Sequence, residues 1–248
     1  MNNLIIDIGN TSIKYAVFEQ GRCVWHCSAN KNSLAEFQEA CSFDIEHVAI
    51  SSVSTTGDEL HKALQDIPYP VLNISTKTKL PFKIADYIPD TLGADRIAAV
   101  AGAHQLFPNQ DVLVIDLGTC ITYELLTKDG IYACGNISPG LQMRLTAMHE
   151  HTTLLPEYIY DGEWPDILGT NTRNAMIGGV VWGIKGEMEG YIRVFKKDKP
   201  DIKVIITGGN SKTFAEKLDA CVTHESMLVE KGLNYILEYN YEQCENIF

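Results

Sequence analysis

Asp7 and Asp116 each close an apolar run, Leu4-Ile5-Ile6 in one case and Val112-Leu113-Val114-Ile115 in the other, and each is followed two residues on by a glycine. The first pattern reads Asp7-Ile8-Gly9-Asn10-Thr11-Ser12-Ile13-Lys14 and the second Asp116-Leu117-Gly118-Thr119-Cys120. A glycine straight after a strand lets the chain turn tightly and lets main-chain N–H groups approach an anion. Asn10, Thr11, Ser12 and Thr119 add donors to these turns. The two carboxylates repel phosphate, and a cation bound between them reverses that sign. The chemistry implied is phosphoryl transfer, with a nucleotide and a metal held between two facing hairpins. Either hairpin alone is also what ordinary turn chemistry selects; their repetition at the same place relative to a strand points beyond it.

A third candidate is Leu92-Gly93-Ala94-Asp95-Arg96, which opens a helix expected over 97–107. Aspartate in a first turn complements the helix dipole, and that alone accounts for many such residues. The functional reading is that Asp95 takes the proton of an attacking hydroxyl while Arg96 grips a substrate carboxylate in bidentate fashion. Phosphoryl transfer needs mainly positioning, charge neutralisation and one carboxylate at the nucleophile.

The elements that must position these groups recur twice. Alternation predicts strands over 3–8, 12–19 and 22–28, with Gln20-Gly21 as a hairpin turn. Ser33 and Glu36 form a capping-box pattern for a helix over 33–40, followed by strand 47–52, helix 58–66 and strand 71–74. The second set has strands over 112–117, 120–127 and 130–138, turned at Asp129-Gly130, then helix 141–150, a long helix over 172–197, and strand 204–207 leading into Gly208-Gly209-Asn210-Ser211 and a further helix. This predicts an α/β fold of two halves, 1–108 and 109–248, related by an approximate two-fold axis. Residues 77–92, with Pro81 and Pro89, read as a loop suited to ligand contact. Gly179, Gly183, Gly186 and Gly190 thin one face of the long helix, each at a cost of about 1 kcal/mol against alanine. Close approach of another helix, within the chain or across a dimer, would offset it.

The chain has 248 residues with 45% hydrophobic content, enough for substantial cores, and a formal net charge of −12. That charge argues against nucleic acid or anionic membrane as partners and leaves an anionic nucleotide to local donors and bound cations. Seven cysteines without a C-x-x-C pair fit a reduced cytoplasmic protein better than a disulfide framework. Cys23, His26 and Cys27 lie close together, but no second pair completes a zinc site, and strand packing is the favoured reading. His149 and His151, two apart on an expected helix, point to different sides and read as surface or dimer contacts. The opening Met1-Asn2-Asn3 has no basic segment and no long apolar stretch, so neither a signal peptide nor a membrane span is expected.

Five motifs, DIGNTSIK, DTLGADRIAAVAG, DLGTCITY, GNISPGL and GTNTRNAMIGG, occur in order over nearly the whole chain. Together they resemble type III pantothenate kinase, of the superfamily that includes actin, sugar kinases and acetate kinase. The resemblance implies two duplicated actin-like, ribonuclease H-like βββαβαβα domains flanking a nucleotide cleft. It implies ATP-dependent phosphorylation of pantothenate to 4′-phosphopantothenate, the first step of coenzyme A synthesis. By the same resemblance Asp7, Ile8, Gly9, Asn10, Thr11, Ser12, Ile13, Lys14 and Thr119 bind ATP. Asp116 holds a monovalent cation, K+ or NH4+, needed besides Mg2+. Gly93, Ala94, Asp95 and Arg96 bind pantothenate with Asp95 as proton acceptor, and Tyr87 and Thr172 complete that pocket at a homodimer interface. Gly208 and Gly209 resemble the element beside adenosine. Cys120 departs from the family's usual alanine after Gly-Thr, which bears on the fit of the nucleotide. Two other readings are a small sugar or acetate kinase, which usually carries larger insertions, and a nucleotide-binding regulator without catalysis, against which the intact Asp7, Asp95, Arg96 and Asp116 speak.

Overall fold

Leu4, Ile5 and Ile6 have no solvent exposure, so the first strand, β1 (Asn2–Ile8), is covered on both faces. β2 (Ile13–Glu19) returns antiparallel to it, and β3 (Arg22–Ala29) alternates exposed and partly buried residues as an outer strand does. The computed structural model describes residues 1–31, 33–53 and 56–245, and the side chains of these except 58 and 242–245. After α1 (Ala35–Ala40), β4 (His47–Ser52) joins β1 in parallel; after α2 (Asp58–Gln65), β5 (Val71–Asn73) joins β4 in parallel. Then come β6 (Lys83–Ile84) and α3 (Ala94–Leu106). The second series is β7 (Val112–Leu117), β8 (Cys120–Leu126), β9 (Ile131–Pro139), α4 (Leu141–Glu150), α5 (Thr172–Asp198), β10 (Lys203–Thr207), α6 (Ser211–Ala215), β11 (Thr223–His224) and α7 (Leu228–Glu245).

The strand orders make the duplication explicit. The first sheet runs β3-β2-β1-β4-β5, and the second series runs β9-β8-β7-β10-β11. In both, the hairpin partner is antiparallel and the next two strands add in parallel on the other side.

Contacts group Met1–Asn109, Asp129–Ala133 and Met227–Phe248 into one unit, and Gln110–Lys128 with Cys134–Ser226 into another. A division at 108/109 follows the duplication, whereas packing returns the last helix to the first unit. There α7 lies along α3 and against β1, β2 and β4. The two helices meet through glycines: a Cβ on Gly232 would stand 1.8 Å from the carbonyl oxygen of Ala98, and one on Gly102 would stand 2.4 Å from that of Leu228.

Several elements differ from the sequence expectation, and β11 and α7 have no counterpart in it. Ser33 does bond Glu36 through its side chain, but α1 begins only at Ala35, with Leu34 at its N-cap and no side-chain cap. β6 lies within the expected loop 77–92 and pairs with Ile131 and Tyr132 at the start of β9. α3 begins at Ala94 rather than 97, so Asp95 and Arg96 are helical residues.

Candidate active site

In the first unit Asp7 is the penultimate residue of β1, and the turn that follows is closed by the Gly9 N–H donating to the Ser12 carbonyl at 3.0 Å. Asp7 faces Lys14 across the hairpin and Ser51 on β4. Asp7 is 8% exposed and Ser51 fully buried. Burial pushes the Asp7 carboxyl up to about 6; Lys14 and Ser51 oppose the shift, and the charges of Glu230 and Asp95 add to it. Oδ1 of Asp7 has no hydrogen-bond partner among the described residues. A buried acceptor left open in this way fits a site for a hydrated divalent cation, which binds through one or two carboxylates and the phosphates of its nucleotide.

The charge of Asp95 reaches this group from the first turn of α3. Gly93 is the N-cap, with extended backbone, and Asp95 Oδ1 accepts the Arg96 N–H at 2.8 Å. The carboxylate folds back over residue 93, where a Cβ would stand only 2.5 Å from Oδ1. A side chain at residue 93 would displace this carboxylate from its place over the turn. Ala94 is buried beneath, and Asp95 and Arg96 remain half-exposed.

The second unit holds its loop by other means. Asp116 is opposite Thr122, and the Gly118 N–H donates to the Cys120 carbonyl at 3.1 Å. Gly208, at φ +93°, follows β10 and presses on this hairpin: a Cβ there would lie 2.4 Å from Asp116 Oδ1. The Gly140 N–H, at the N-cap of α4, donates to the Thr119 carbonyl at 3.1 Å. Arg144 pins the preceding Ser138-Pro139 segment. It donates to the Pro139 carbonyl and the Ser138 hydroxyl, both at 2.8 Å, and to Glu187 of α5 at 2.5 Å. Glu187 in turn accepts from the Tyr123 hydroxyl at 2.7 Å. Asp116, Thr119 and Gly208 are thus gathered at one end of the second unit.

A family model described as type III pantothenate kinase matches residues 3–194. The chain belongs to that family. Among curated type III pantothenate kinases, the one from Bacteroides fragilis is 42% identical over 239 residues, covering 96% of this chain and 98% of the relative. That of Christiangramia forsetii is 38% identical over 244 residues, 97% and 100% of the two chains. A solved structure from Sinorhizobium meliloti, named for 2-dehydro-3-deoxygalactonokinase, superposes with a TM-score of 0.59 at 12% identity, covering 96% of this chain and 97% of that one. The fold is accordingly the duplicated actin-like α/β fold, and the protein is a kinase.

The type III pantothenate kinase motifs fall in both units. Asp7 to Lys14, Tyr87 and Gly93 to Arg96 lie in the first; Asp116, Thr119, Thr172, Gly208 and Gly209 lie in the second. Tyr87 is 75% exposed, with its hydroxyl on the Ala133 carbonyl. Thr172 is exposed at the start of α5, where Asn171 caps the helix by accepting the Asn174 N–H at 2.9 Å. A cavity of about 230 Å³ adjoins Thr172 rather than the acidic loops, and Asp161, Glu163 and Asp166 line it. Its one arginine, Arg173, is held by Asp161 at 2.6 Å, so it suits a carboxylate ligand poorly. Cys23 and Cys27 share the inner face of β3 with Trp25 while His26 is on the outer face, and His149 is exposed with Nδ1 2.8 Å from the Leu155 carbonyl. Six cysteines are free thiols, and the Cys244 side chain lies outside the described residues. Glu230, buried beside Lys14, is the site residue that sequence reasoning missed.

Proposed function

We propose that this family member transfers the γ-phosphoryl group of ATP to the primary hydroxyl of pantothenate, giving 4′-phosphopantothenate. One observation carries the assignment of roles: the Asp95 carboxylate sits on the N-terminal turn of α3, near enough to the phosphate-type hairpin for its charge to act on Asp7. A base in that place can take the hydroxyl proton as the nucleophile attacks. Arg96 beside it supplies a planar, bidentate partner for the pantothenate carboxylate. Tyr87 and, across the proposed dimer, Thr172 are the further residues this reading gives to pantothenate.

Asp7 to Lys14 and Thr119 would hold the triphosphate, with Asp7 toward Mg2+ and Asp116 toward K+ or NH4+. When bound, these ions offset the charge of the phosphates. The open Oδ1 of Asp7 supports the first assignment and the Asp116 carboxylate under Gly208 the second.

A homodimer is part of the reading. Cβ atoms built on Gly179, Gly183, Gly186 and Gly190 meet nothing within 4 Å, so no helix of the described chain occupies the space above them. Leu154, Ile159, Ile167 and Leu168 of the same unit are more than two-thirds exposed or close to it, at 89, 77, 67 and 81%. A second copy would cover both surfaces, and sedimentation should give the mass of two chains; a monomer at micromolar concentration would remove this part. The cytoplasm is the proposed compartment. Among the described residues no helix is long and apolar enough to cross a membrane.

The experiment is a coupled ADP-release assay with and without pantothenate, in potassium and then in sodium alone. Pantothenate-dependent release that needs potassium and is lost in Asp95→Asn is the expected result. Release unaffected by pantothenate would overturn the substrate, and wild-type turnover by Asp95→Asn would overturn the base.

A further inference from the structure

Lys14 stands directly across the hairpin from Asp7, where an opposed lysine and aspartate would ordinarily pair. Its ammonium instead lies 3.2 Å from Oε1 of Glu230, on the third residue of α7. Glu230 is 4% exposed, and the close crossing of α7 over α3 fixes the backbone that carries it. The charges of Glu230 and Asp95 both act on Asp7 against that of the single Lys14, which leaves the Asp7 carboxylate with surplus negative charge around it. Oδ1 of Asp7 and Oε2 of Glu230 are both buried without a hydrogen-bond partner among the described residues. A surplus of this kind is costly unless something cationic arrives to share it.

We infer that Glu230 is a positioning residue: by holding Lys14 it keeps that ammonium off Asp7 and leaves the Asp7 carboxylate open to the divalent cation of the nucleotide complex. The inference rests on the nucleotide-binding reading above. Without the Glu230 charge, the nearest buried counter-ion for Lys14 on the hairpin is Asp7, and a lysine seated there would compete with the metal. A role confined to fastening α7 onto β2 would change stability and leave metal dependence alone.

The test is calorimetric binding of ADP to the full chain with and without Mn2+, with the metal also followed by its EPR signal. The ratio of the two ADP affinities reports the metal contribution separately from any contact of Lys14 with phosphate. Glu230→Gln should lower that ratio by about tenfold, the scale found when a partner of a metal ligand is removed. The double variant Lys14→Met with Glu230→Gln should restore it, because no ammonium remains to collapse onto Asp7. A ratio unchanged in Glu230→Gln, or equally low in the double variant, overturns the inference while the nucleotide reading stands. Should Glu230→Gln fail to fold, Glu230→Asp supplies the same test with a smaller loss expected, and a wild-type ratio in that folded variant overturns it too. Wild-type protein that binds no ADP with Mn2+ overturns both.

Discussion

The two acidic hairpins share a strand order but are supported in different ways. The first keeps its aspartate buried at 8% exposure among ionisable groups, with Lys14 drawn aside to Glu230 and one carboxylate oxygen unsatisfied. The second leaves Asp116 half-buried and stiffens the surrounding backbone through Gly208 and the Arg144 and Glu187 network. Duplication thus preserved the path of the chain and not the electrostatics. The first loop stores unfavourable charge that a ligand can relieve, while the second is a braced frame whose hydrogen bonds are already made.

The largest effect expected from this contrast is at Asp116. Asp116→Asn should cut turnover about a hundredfold or more, as loss of an ion that stabilises transferring phosphate would, and abolish the response to potassium. It should leave the unfolding midpoint of the ligand-free protein nearly unchanged. If potassium still stimulated the variant, the cation would have to be placed elsewhere.

Asp7→Asn should behave in the opposite sense toward stability. The Asp7 carboxyl titrates near 6 in the fold against an ordinary value of 3.8. An acid raised in this way gives stability that is full below the lower value and lost as pH climbs through the upper one. At pH 8 the buried charge costs the ligand-free protein about 3 kcal/mol, so the asparagine variant should be more stable by up to about that amount. The gain should shrink between pH 6 and 4 while metal-dependent nucleotide binding is lost throughout. Urea unfolding at pH 8 and pH 5 checks it; equal gains from Asp7→Asn and Asp116→Asn would erase the contrast.

The smallest effect tests the frame. Arg144→Met removes charge-assisted bonds to Glu187, Ser138 and Pro139 and should cost about 2 kcal/mol, with a raised KM for ATP through the loosened Thr119 turn. Thermal unfolding and steady-state kinetics measure both; a stable variant with a wild-type KM would show that the bracing is incidental.

Much of this arrangement is legible in the sequence because it is local. The hairpins announce themselves by Asp-x-Gly between alternating strands, and Gly93-Ala94-Asp95-Arg96 by its place before an apolar helical run. What escapes is defined by a distant partner. β6 and β11 are two residues each and exist through pairing with β9 and β10. Glu230 sits in Leu228-Val229-Glu230-Lys231, at the start of a helix absent from the sequence expectation. Only the crossing of Gly232 on Ala98 carries it inward. The capping-box pattern at Ser33 and Glu36 shows the converse: the side chains meet as expected, but the helix begins a turn fragment later. The spacing of the four glycines of α5 fits an intrachain or an intermolecular neighbour equally, and among the described residues no atom lies within 4 Å of a Cβ built on them.

The return of α7 to the first unit also orders events during synthesis. A ribosome extrudes the first sheet early, yet the helix that covers α3 and delivers Glu230 to Lys14 comes only after the whole second unit. The first unit, ordinarily the first to mature as a chain emerges, must therefore wait with one flank uncovered until the second unit has been made.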